Sequence, residues 1–158
     1  MKLATLVLIR TNNAVLLGRK KTGEVGRGLL NAPGGKQEPG ETLRACAARE
    51  VKEETGLTIS SALLNEAAIL TCYTKDIPDF RVYVYMTFAY RGEPIETSSM
   101  EPAWYSTLAL PVDEMHEADR HWFVRALSGK RFNAHIMYNE RGSGFRKIKF
   151  AAFTPFPQ

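Results

Sequence analysis

Three glutamates stand on one predicted helix at a spacing that suits metal binding. Glu50, Glu53 and Glu54 lie at positions i, i+3 and i+4, so their side chains project from the same face of a helix. Like charges at this spacing repel one another, but a divalent cation such as Mg²⁺ or Mn²⁺ converts the repulsion into binding. These hard ions also bridge to phosphate groups. The spacing therefore predicts a metal site for a phosphorylated substrate, with a solvated charged face as the alternative for the three residues alone.

The glutamates belong to a longer pattern whose spacing decides between these interpretations. It starts at Gly35, continues through Glu41 and the segment Arg49-Glu50-Val51, and ends with Gly56 and Leu57. By this pattern, called the box below, the chain is identified as a member of the Nudix (MutT-type) hydrolase family. The resemblance implies an α+β protein with the Nudix fold, an α/β/α sandwich in which helices flank a mixed β-sheet. It also implies Mg²⁺-dependent hydrolysis of a nucleoside diphosphate that is linked to another group.

The resemblance assigns a role to each polar residue of the box. Glu50 and Glu54 are expected to bind Mg²⁺ together with the carbonyl group of Gly35, and Mn²⁺ is expected to substitute. Glu53 is expected either as a third ligand or as the base that activates water. We expect Arg49 to orient Glu41 or Glu53 rather than to contact the substrate, because a guanidinium group can hold a carboxylate through two hydrogen bonds.

Shorter matches extend along most of the chain and resemble the Nudix group that hydrolyses oxidised purine nucleoside triphosphates. They include TLVLIR and VLLGRKK near the start, and MEPAWYS, LPVDEM and HWF near the end. This closer resemblance implies a purine-selective nucleoside triphosphatase that releases a monophosphate and pyrophosphate, with 8-oxo-dGTP as a candidate substrate. Asn31 and Asp119 are expected to bind opposite edges of the base. The other expected pocket residues are Thr5, Lys20, Trp104 and His116.

The chain departs from that group at several positions. His116 stands where an indole ring is usual, and Ala118 replaces one of two adjacent acids. Ser99 replaces an acid, so Glu96 and Glu101 remain as alternatives to Glu53 for the base. ADP-ribose or a dinucleoside polyphosphate is the alternative substrate, and a nucleotide-sensing domain without activity is a further alternative.

The composition limits the remaining function classes. With 44% hydrophobic and 24% charged residues, the chain is typical of a globular protein, and we expect one domain over residues 1–158. The longest apolar run, LATLVLI, is too short to span a bilayer. Cys46 and Cys72 form no ligand or disulfide pattern, so we expect free thiols in a cytoplasmic protein. The net charge of +4 suits a small nucleotide substrate. No membrane or nucleic-acid partner is expected, and a monomer or weak homodimer is expected.

Hydrophobic periodicity and turn residues predict the elements around the glutamates. A mobile loop is expected at residues 21–28 and a turn at residues 77–79. Helices are expected at residues 41–55 and 112–127, the first with a buried stripe of Leu43, Ala47 and Val51 and a cap at Gly56. Strands are expected at residues 3–10, 14–20, 29–33, 67–74, 80–90, 103–106, 132–138 and 145–150.

Overall fold

The computed structural model describes residues 1–158 and contains eleven strands and two α-helices. Neither helix is long and apolar enough to cross a membrane. The helices are α1 (Leu43–Thr55) and α2 (Asp119–Leu127), and short 3₁₀ turns occur at Ser61–Leu63 and Val112–Glu114. The strands are β1 (Lys2–Ile9), β2 (Ala14–Lys20), β3 (Leu30–Asn31), β4 (Gly34–Lys36), β5 (Thr58–Ile59), β6 (Asn65–Thr74), β7 (Ile77–Thr87), β8 (Tyr90–Arg91), β9 (Met100–Ser106), β10 (Phe132–Glu140) and β11 (Ser143–Ala151).

A six-stranded mixed sheet forms the centre of the structure. Its strands lie in the order β11-β10-β6-β7-β1-β4. The pairs β1–β7 and β6–β10 are parallel, whereas the others are antiparallel. Two smaller sheets accompany it, with the strand orders β3-β2-β9 and β5-β8. The aromatic and β-branched strand β7 is central, as its sequence predicts.

The two helices cover opposite faces of the large sheet, because successive strand residues point to opposite sides. On β1, Val7 and Ile9 belong to the core cluster that contains α1. Leu8, between them, belongs to the cluster that contains Trp122 and Phe123 of α2. The α/β/α sandwich predicted from the resemblance is therefore confirmed. The predicted stripe of α1 is also buried: Leu43, Ala47 and Val51 are at most 7% exposed.

Helix α1 begins two residues later than predicted. Thr42 is the N-terminal cap, since its side chain accepts a hydrogen bond from the backbone N–H of Ala45. Glu41 consequently lies in the loop before the helix. The predicted C-terminal cap is confirmed, because Gly56 adopts a φ of 79° and donates its N–H to the carbonyl of Lys52. A left-handed residue at this position favours glycine.

The prediction of one continuous helix over residues 112–127 is wrong. The chain forms a 3₁₀ turn at Val112–Glu114, becomes extended at Met115 with a ψ of 174°, and resumes as α2 at Asp119. Met115 is buried in the α2-side core and makes a bridge to Leu30. This tertiary contact overrides the local helical preference.

The turn predicted at residues 77–79 is also wrong, because the chain reverses at Lys75 and Asp76. Both residues have positive φ angles, 50° and 67°, as a tight hairpin with a mirror-image turn requires. Pro78 lies inside β7, next to a register irregularity after Cys72, where a missing N–H is tolerated. Strand β7 ends at Thr87, and the next two paired residues form β8 of a separate sheet.

Candidate active site

Arg49 connects α1 to the segments that precede it. Its Nε and Nη2 atoms donate to the two carboxylate oxygens of Glu41 at 2.6 and 3.0 Å. Nη2 also donates to the carbonyl of Lys36 at 3.1 Å, and Nη1 donates to Glu50 at 2.9 Å and Glu53 at 3.2 Å. The hydrogen bonds from Arg49 lower the pKa of Glu41 to about 2. These are the contacts that an orienting residue makes.

Glu50 and Glu54 approach two consecutive glycines of β4. A Cβ atom on Gly35 would lie 2.4 Å from the carboxyl carbon of Glu50, so only glycine leaves room for this side chain. Oε1 of Glu54 accepts a hydrogen bond from the backbone N–H of Gly34 at 2.7 Å. On the other side of Gly34, a Cβ atom would lie 1.9 Å from the carbonyl oxygen of Thr5. Close backbone packing therefore brings both carboxyl groups to one strand edge.

The charges of these carboxyl groups suit a hard cation. Burial raises the pKa of Glu54 to about 7, and the nearby charge of Glu50 adds to the shift. Burial also raises the pKa of Glu50, against the opposing effect of Arg49. Carboxylate oxygens with excess negative charge match the ligand preference of Mg²⁺ and Mn²⁺, so the residues fit the predicted metal.

The predicted ligands are near one another but do not converge on a single point. No group of three acidic, histidine or cysteine side chains surrounds a common centre. Arg49 holds Glu50 and Glu53, and the Gly34 N–H holds Glu54. Glu53 is the most accessible of the three, with its side chain 57% exposed, and it would have to leave Arg49 to join the others.

A cavity of about 250 Å³ lies beside the two glycines, on the α2 side of the sheet. Apolar side chains of the central strands form much of its wall. Glu54 and Asp119 both line the cavity, so one ligand could reach both. Five of the predicted site residues are in its lining together with these two: Asn31, Gly35, Lys20, His116 and Thr5.

Asp119 is a buried acid with an unused oxygen. The residue is 5% exposed, and its Oδ1 atom accepts a hydrogen bond from Nε1 of Trp122 at 3.1 Å. Oδ2 is buried without any partner, and burial raises the pKa of this carboxyl group to about 7. Asn31 also lines the cavity and accepts a hydrogen bond from the N–H of Ala32 at 2.9 Å. These two side chains offer the cavity both an acidic and an amide group.

His116 and Lys20 lie where the glycine-containing loop, residues 21–28, meets the cavity. A Cβ atom on Gly26 would lie 2.6 Å from Nε2 of His116, so the loop backbone contacts the imidazole ring. Burial, and then the charge of Lys20, lower the pKa of His116 below its ordinary value of 6.5. Nζ of Lys20 donates to the carbonyl of Val25 at 2.9 Å. The imidazole is therefore a neutral wall of the cavity near pH 7.

Two of the expected pocket residues, Thr5 and Trp104, have side chains that make contacts elsewhere. The Thr5 hydroxyl lies 3.5 Å from Sγ of Cys46, which is on α1, and the residue is 1% exposed. Thr5 is in the lining, but its hydroxyl points toward α1, whereas the side chains of its β1 neighbours Ala4 and Leu6 point to the cavity face, as strand alternation requires. Trp104 is outside the lining and packs against Tyr90 with ring centroids 5.3 Å apart.

The alternative bases lie outside the cavity. Glu96 forms an ion pair with Lys21 at 2.7 Å, and its side chain is 59% exposed. Glu101 is exposed on β9, opposite Arg19 of β2. Neither acid belongs to the lining.

The mouth of the cavity contains residues that the sequence analysis missed. Arg141 donates from Nε and Nη2 to both carboxylate oxygens of Asp79 at 2.7 and 2.8 Å, and from Nη1 to Glu24 at 3.3 Å. A Cβ atom on Gly142 would lie 2.5 Å from Val25, so the β10–β11 turn packs on the loop. Asp79 and Glu24 lie 62 and 117 positions from Arg141, and no local pattern links the three residues.

Comparison with known proteins places the chain in one family. The sequence model of the NUDIX domain matches residues 2–126. The chain is 36% identical over 137 residues to the oxidized purine nucleoside triphosphate hydrolase of Danio rerio, covering 87% of this chain and 86% of the relative. It is 32% identical over 141 residues to the protein of that name from Mus musculus, covering 89% of this chain and 88% of the relative. The crystal structure of a MutT protein from Bacillus halodurans superposes with a TM-score of 0.78 at 20% identity, covering 95% of this chain and 97% of that one.

The shifted pKa of Asp119 predicts a pH-dependent effect of replacing it. Its pKa rises from 3.8 to about 7 on folding, so the folded protein binds more protons than the unfolded chain between these values. Stability is therefore lost as the pH rises, by up to about 1.4 kcal/mol per pH unit. The substitution Asp119→Asn removes this loss. The free energy of unfolding of the variant should therefore rise relative to that of the wild type between about pH 5 and pH 8.

Denaturant unfolding of both proteins at these two pH values measures the difference, with the exposed Asp113→Asn as control. An equal difference at both values would contradict the assignment.

Proposed function

The chain belongs to the Nudix hydrolase family, and from this we propose that it is a Mg²⁺-dependent pyrophosphohydrolase of purine nucleoside triphosphates. The products would be a nucleoside monophosphate and pyrophosphate. We propose 8-oxo-dGTP as the first substrate to test, because the Danio rerio and Mus musculus relatives are named for hydrolysis of oxidised purine nucleoside triphosphates. Both cysteines are free thiols, which supports a cytoplasmic location for this activity.

The unpartnered Oδ2 atom of Asp119 is the observation that supports a purine substrate best. A buried polar atom without a partner is costly unless a ligand satisfies it. A purine edge offers adjacent N–H donors and carbonyl acceptors. With a pKa of about 7, this carboxyl group can present either an acceptor pair or a hydroxyl donor. Asn31 offers an amide in the same cavity.

The box residues supply the groups for phosphate chemistry. Glu50, Glu54 and the Gly35 carbonyl would hold the metal, with Glu53 as a further ligand or as the base. Bound Mg²⁺ would neutralise charge on the phosphates and lower the pKa of the attacking water. Because phosphoryl transfer depends mainly on positioning and electrostatics, the task of the protein is to hold these oxygens in place.

Positive charge near the cavity favours the phosphate chain. Lys20 and Lys36 are both in the lining, and the charge of Lys20 acts on Glu54. Lys36 directly follows Gly35, and no acid forms an ion pair with either lysine. Such a local positive potential attracts a polyphosphate before the metal ligands hold it.

A substrate panel tests the proposed function. The values of kcat/KM with Mg²⁺ should be highest for 8-oxo-dGTP, lower for dGTP and ATP, and lowest for ADP-ribose, with pyrophosphate as the second product. A leading rate for ADP-ribose or a dinucleoside polyphosphate would overturn the substrate assignment. Binding of nucleotides without any Mg²⁺-stimulated hydrolysis would instead indicate a sensing domain.

Replacement of box carboxyl groups should affect turnover far more than folding. The variants Glu54→Gln and Glu53→Gln should each lower kcat by about 10²-fold or more, because each removes a negative oxygen from the metal and water site. In Glu54→Gln the new amide oxygen can still accept the hydrogen bond from the Gly34 N–H, so the melting temperature should change little. Glu93→Gln, at an exposed position, is the matched control. Near-normal kcat in both box variants would show that these roles are wrong.

The contact between the loop and His116 predicts a difference between two glycine substitutions. Gly26 and Gly28 both have positive φ angles, 79° and 86°, so alanine is strained at both positions. Only at Gly26 would the new Cβ atom meet His116, whereas nothing lies within 4 Å at Gly28. We expect Gly26→Ala to raise KM several-fold with little change in kcat, and Gly28→Ala to leave KM near the wild-type value. Equal KM values in steady-state kinetics would exclude this role for the contact.

A further inference from the structure

A second opening lies on the sheet face opposite the cavity. Strands β6, β7 and β10 form its floor, and the C-terminal segment at residues 154–157 forms a wall. Its volume is about 400 Å³, within the range of small-ligand sites. Two hydrogen bonds between the side chain of Asn133 and Thr154, at 3.0 and 3.3 Å, attach the wall to the floor. Pro155 and Pro157 stiffen this wall.

A row of polar and basic residues crosses the floor of this cleft. Strand register places Arg81 opposite Thr71, Thr71 opposite His135, and His135 opposite Lys149. All four therefore lie on one face, and at about 4.8 Å per strand the row spans roughly 14 Å. Lys147, two residues before Lys149, lies on the same face. Arg81 thus lies at one end of the row and the two lysines at the other, with the hydrogen-bonding side chains of Thr71 and His135 between them.

The cations of this row lack anionic partners within the protein. Arg81 donates from Nε to the Thr71 hydroxyl at 3.3 Å, and this is its one recorded side-chain hydrogen bond. No carboxylate lies within 4.0 Å of Arg81, Lys147 or Lys149, and no acid lines the cleft. Arg81 is nevertheless half-buried. Most other arginines on exposed faces of this protein pair with acids. The guanidinium Nη groups of Arg81 have no such partner and are available to a ligand.

His135 is held in place two strands from Arg81, on the other side of Thr71. Its Nδ1 atom shares a hydrogen bond of 2.8 Å with the hydroxyl of Tyr73, and the two rings lie 5.7 Å apart. This contact fixes the imidazole on the floor of the cleft, next to the Thr71 hydroxyl. A planar guanidinium with free donors, a hydroxyl and an imidazole form a set that matches phosphate oxygens.

We propose that this cleft binds the phosphate group of a small molecule, with Arg81 as the principal ligand and His135, Thr71 and Lys149 around it. The site is separate from the cavity, which lies on the other face of the sheet, and it shares no lining residue with the cavity or the box. It requires no divalent ion, because no carboxylate lines it. Inorganic phosphate, pyrophosphate and a nucleoside monophosphate share the chemistry that the site recognises.

Titration of ¹⁵N-labelled protein in metal-free buffer tests the proposal. Inorganic phosphate, pyrophosphate and AMP are added separately, and the signals of Arg81 Nε–H and the amides of Thr71 and His135 are followed. Saturable shifts at these groups are expected. The variant Arg81→Met should weaken binding about tenfold or more, and the exposed Lys149→Gln about threefold. Arg120→Met, the same change on α2, is the control and should bind as the wild type does. The three ligands distinguish a free anion from a nucleotide as the better occupant.

Several outcomes would overturn the proposal. These are unchanged titration curves in both Arg81→Met and Lys149→Gln, shifts confined to the box and its cavity, or the absence of saturation by all three ligands. Tight, salt-dependent binding of a single-stranded oligonucleotide without any response to phosphate would assign the face to nucleic acid instead. Lys149→Gln keeps the test valid if Arg81→Met fails to fold. Since no hydrolysis is measured, failure of the proposed substrate would not affect the result.

Discussion

The hydrogen bonds of Arg49 are the interaction on which the rest of the site depends. One guanidinium group, which stays charged at every physiological pH, joins Glu41 before the helix, the Lys36 carbonyl on β4, and Glu50 on α1. It thereby fixes the distance between helix and strand edge. Glu41 takes two of the hydrogen bonds of this group, and Glu50 and Glu53 share the third nitrogen. Burial raises the pKa values of Glu50 and Glu54, and the neighbouring carboxylates add to both shifts.

The two parts of the proposed site, one for the phosphates and one for the base, lie on different structural elements. Helix α1 presents its acids at the edge strand β4, where two glycines let them approach the backbone. The proposed base pocket lies on the α2 side, where Asn31, His116 and Asp119 line the cavity. The break at Met115 is essential to this arrangement, because a continuous helix would not present His116 and the start of α2 in the same way. The sugar and phosphate chain of a bound nucleotide would connect these two parts of the site.

Local patterns predicted the parts of this site that depend on short-range spacing. The periodicity of Leu43, Ala47 and Val51 was sufficient for α1, whereas the proximity of Glu50 and Glu54 to Gly35 was expected from the resemblance to a family. Asn31 and Asp119 could be placed only through resemblance to a family. Features set by tertiary contacts were not predictable: the bridge between Leu30 and Met115, the reversal at Lys75, and the contacts of Arg141 with distant acids. The orientation of Thr5 and Trp104 depended on strand facing, which short motifs do not specify.

We conclude that pairing with Glu41 weakens the hold of Arg49 on Glu50 and Glu53 enough for a metal ion to take these carboxylates. Mn²⁺ binding measured by calorimetry on the variant Glu41→Gln tests it most directly. An unpaired Arg49 should compete with the metal for Glu50 and Glu53, and we expect the affinity to fall about tenfold or more, as it does when residues that orient metal ligands are lost. Glu38→Gln, which removes an exposed carboxylate 3.7 Å from the same guanidinium, should bind Mn²⁺ nearly as the wild type does. Wild-type Mn²⁺ affinity in Glu41→Gln would show that Glu41 does not control the hold of Arg49 on the box carboxylates.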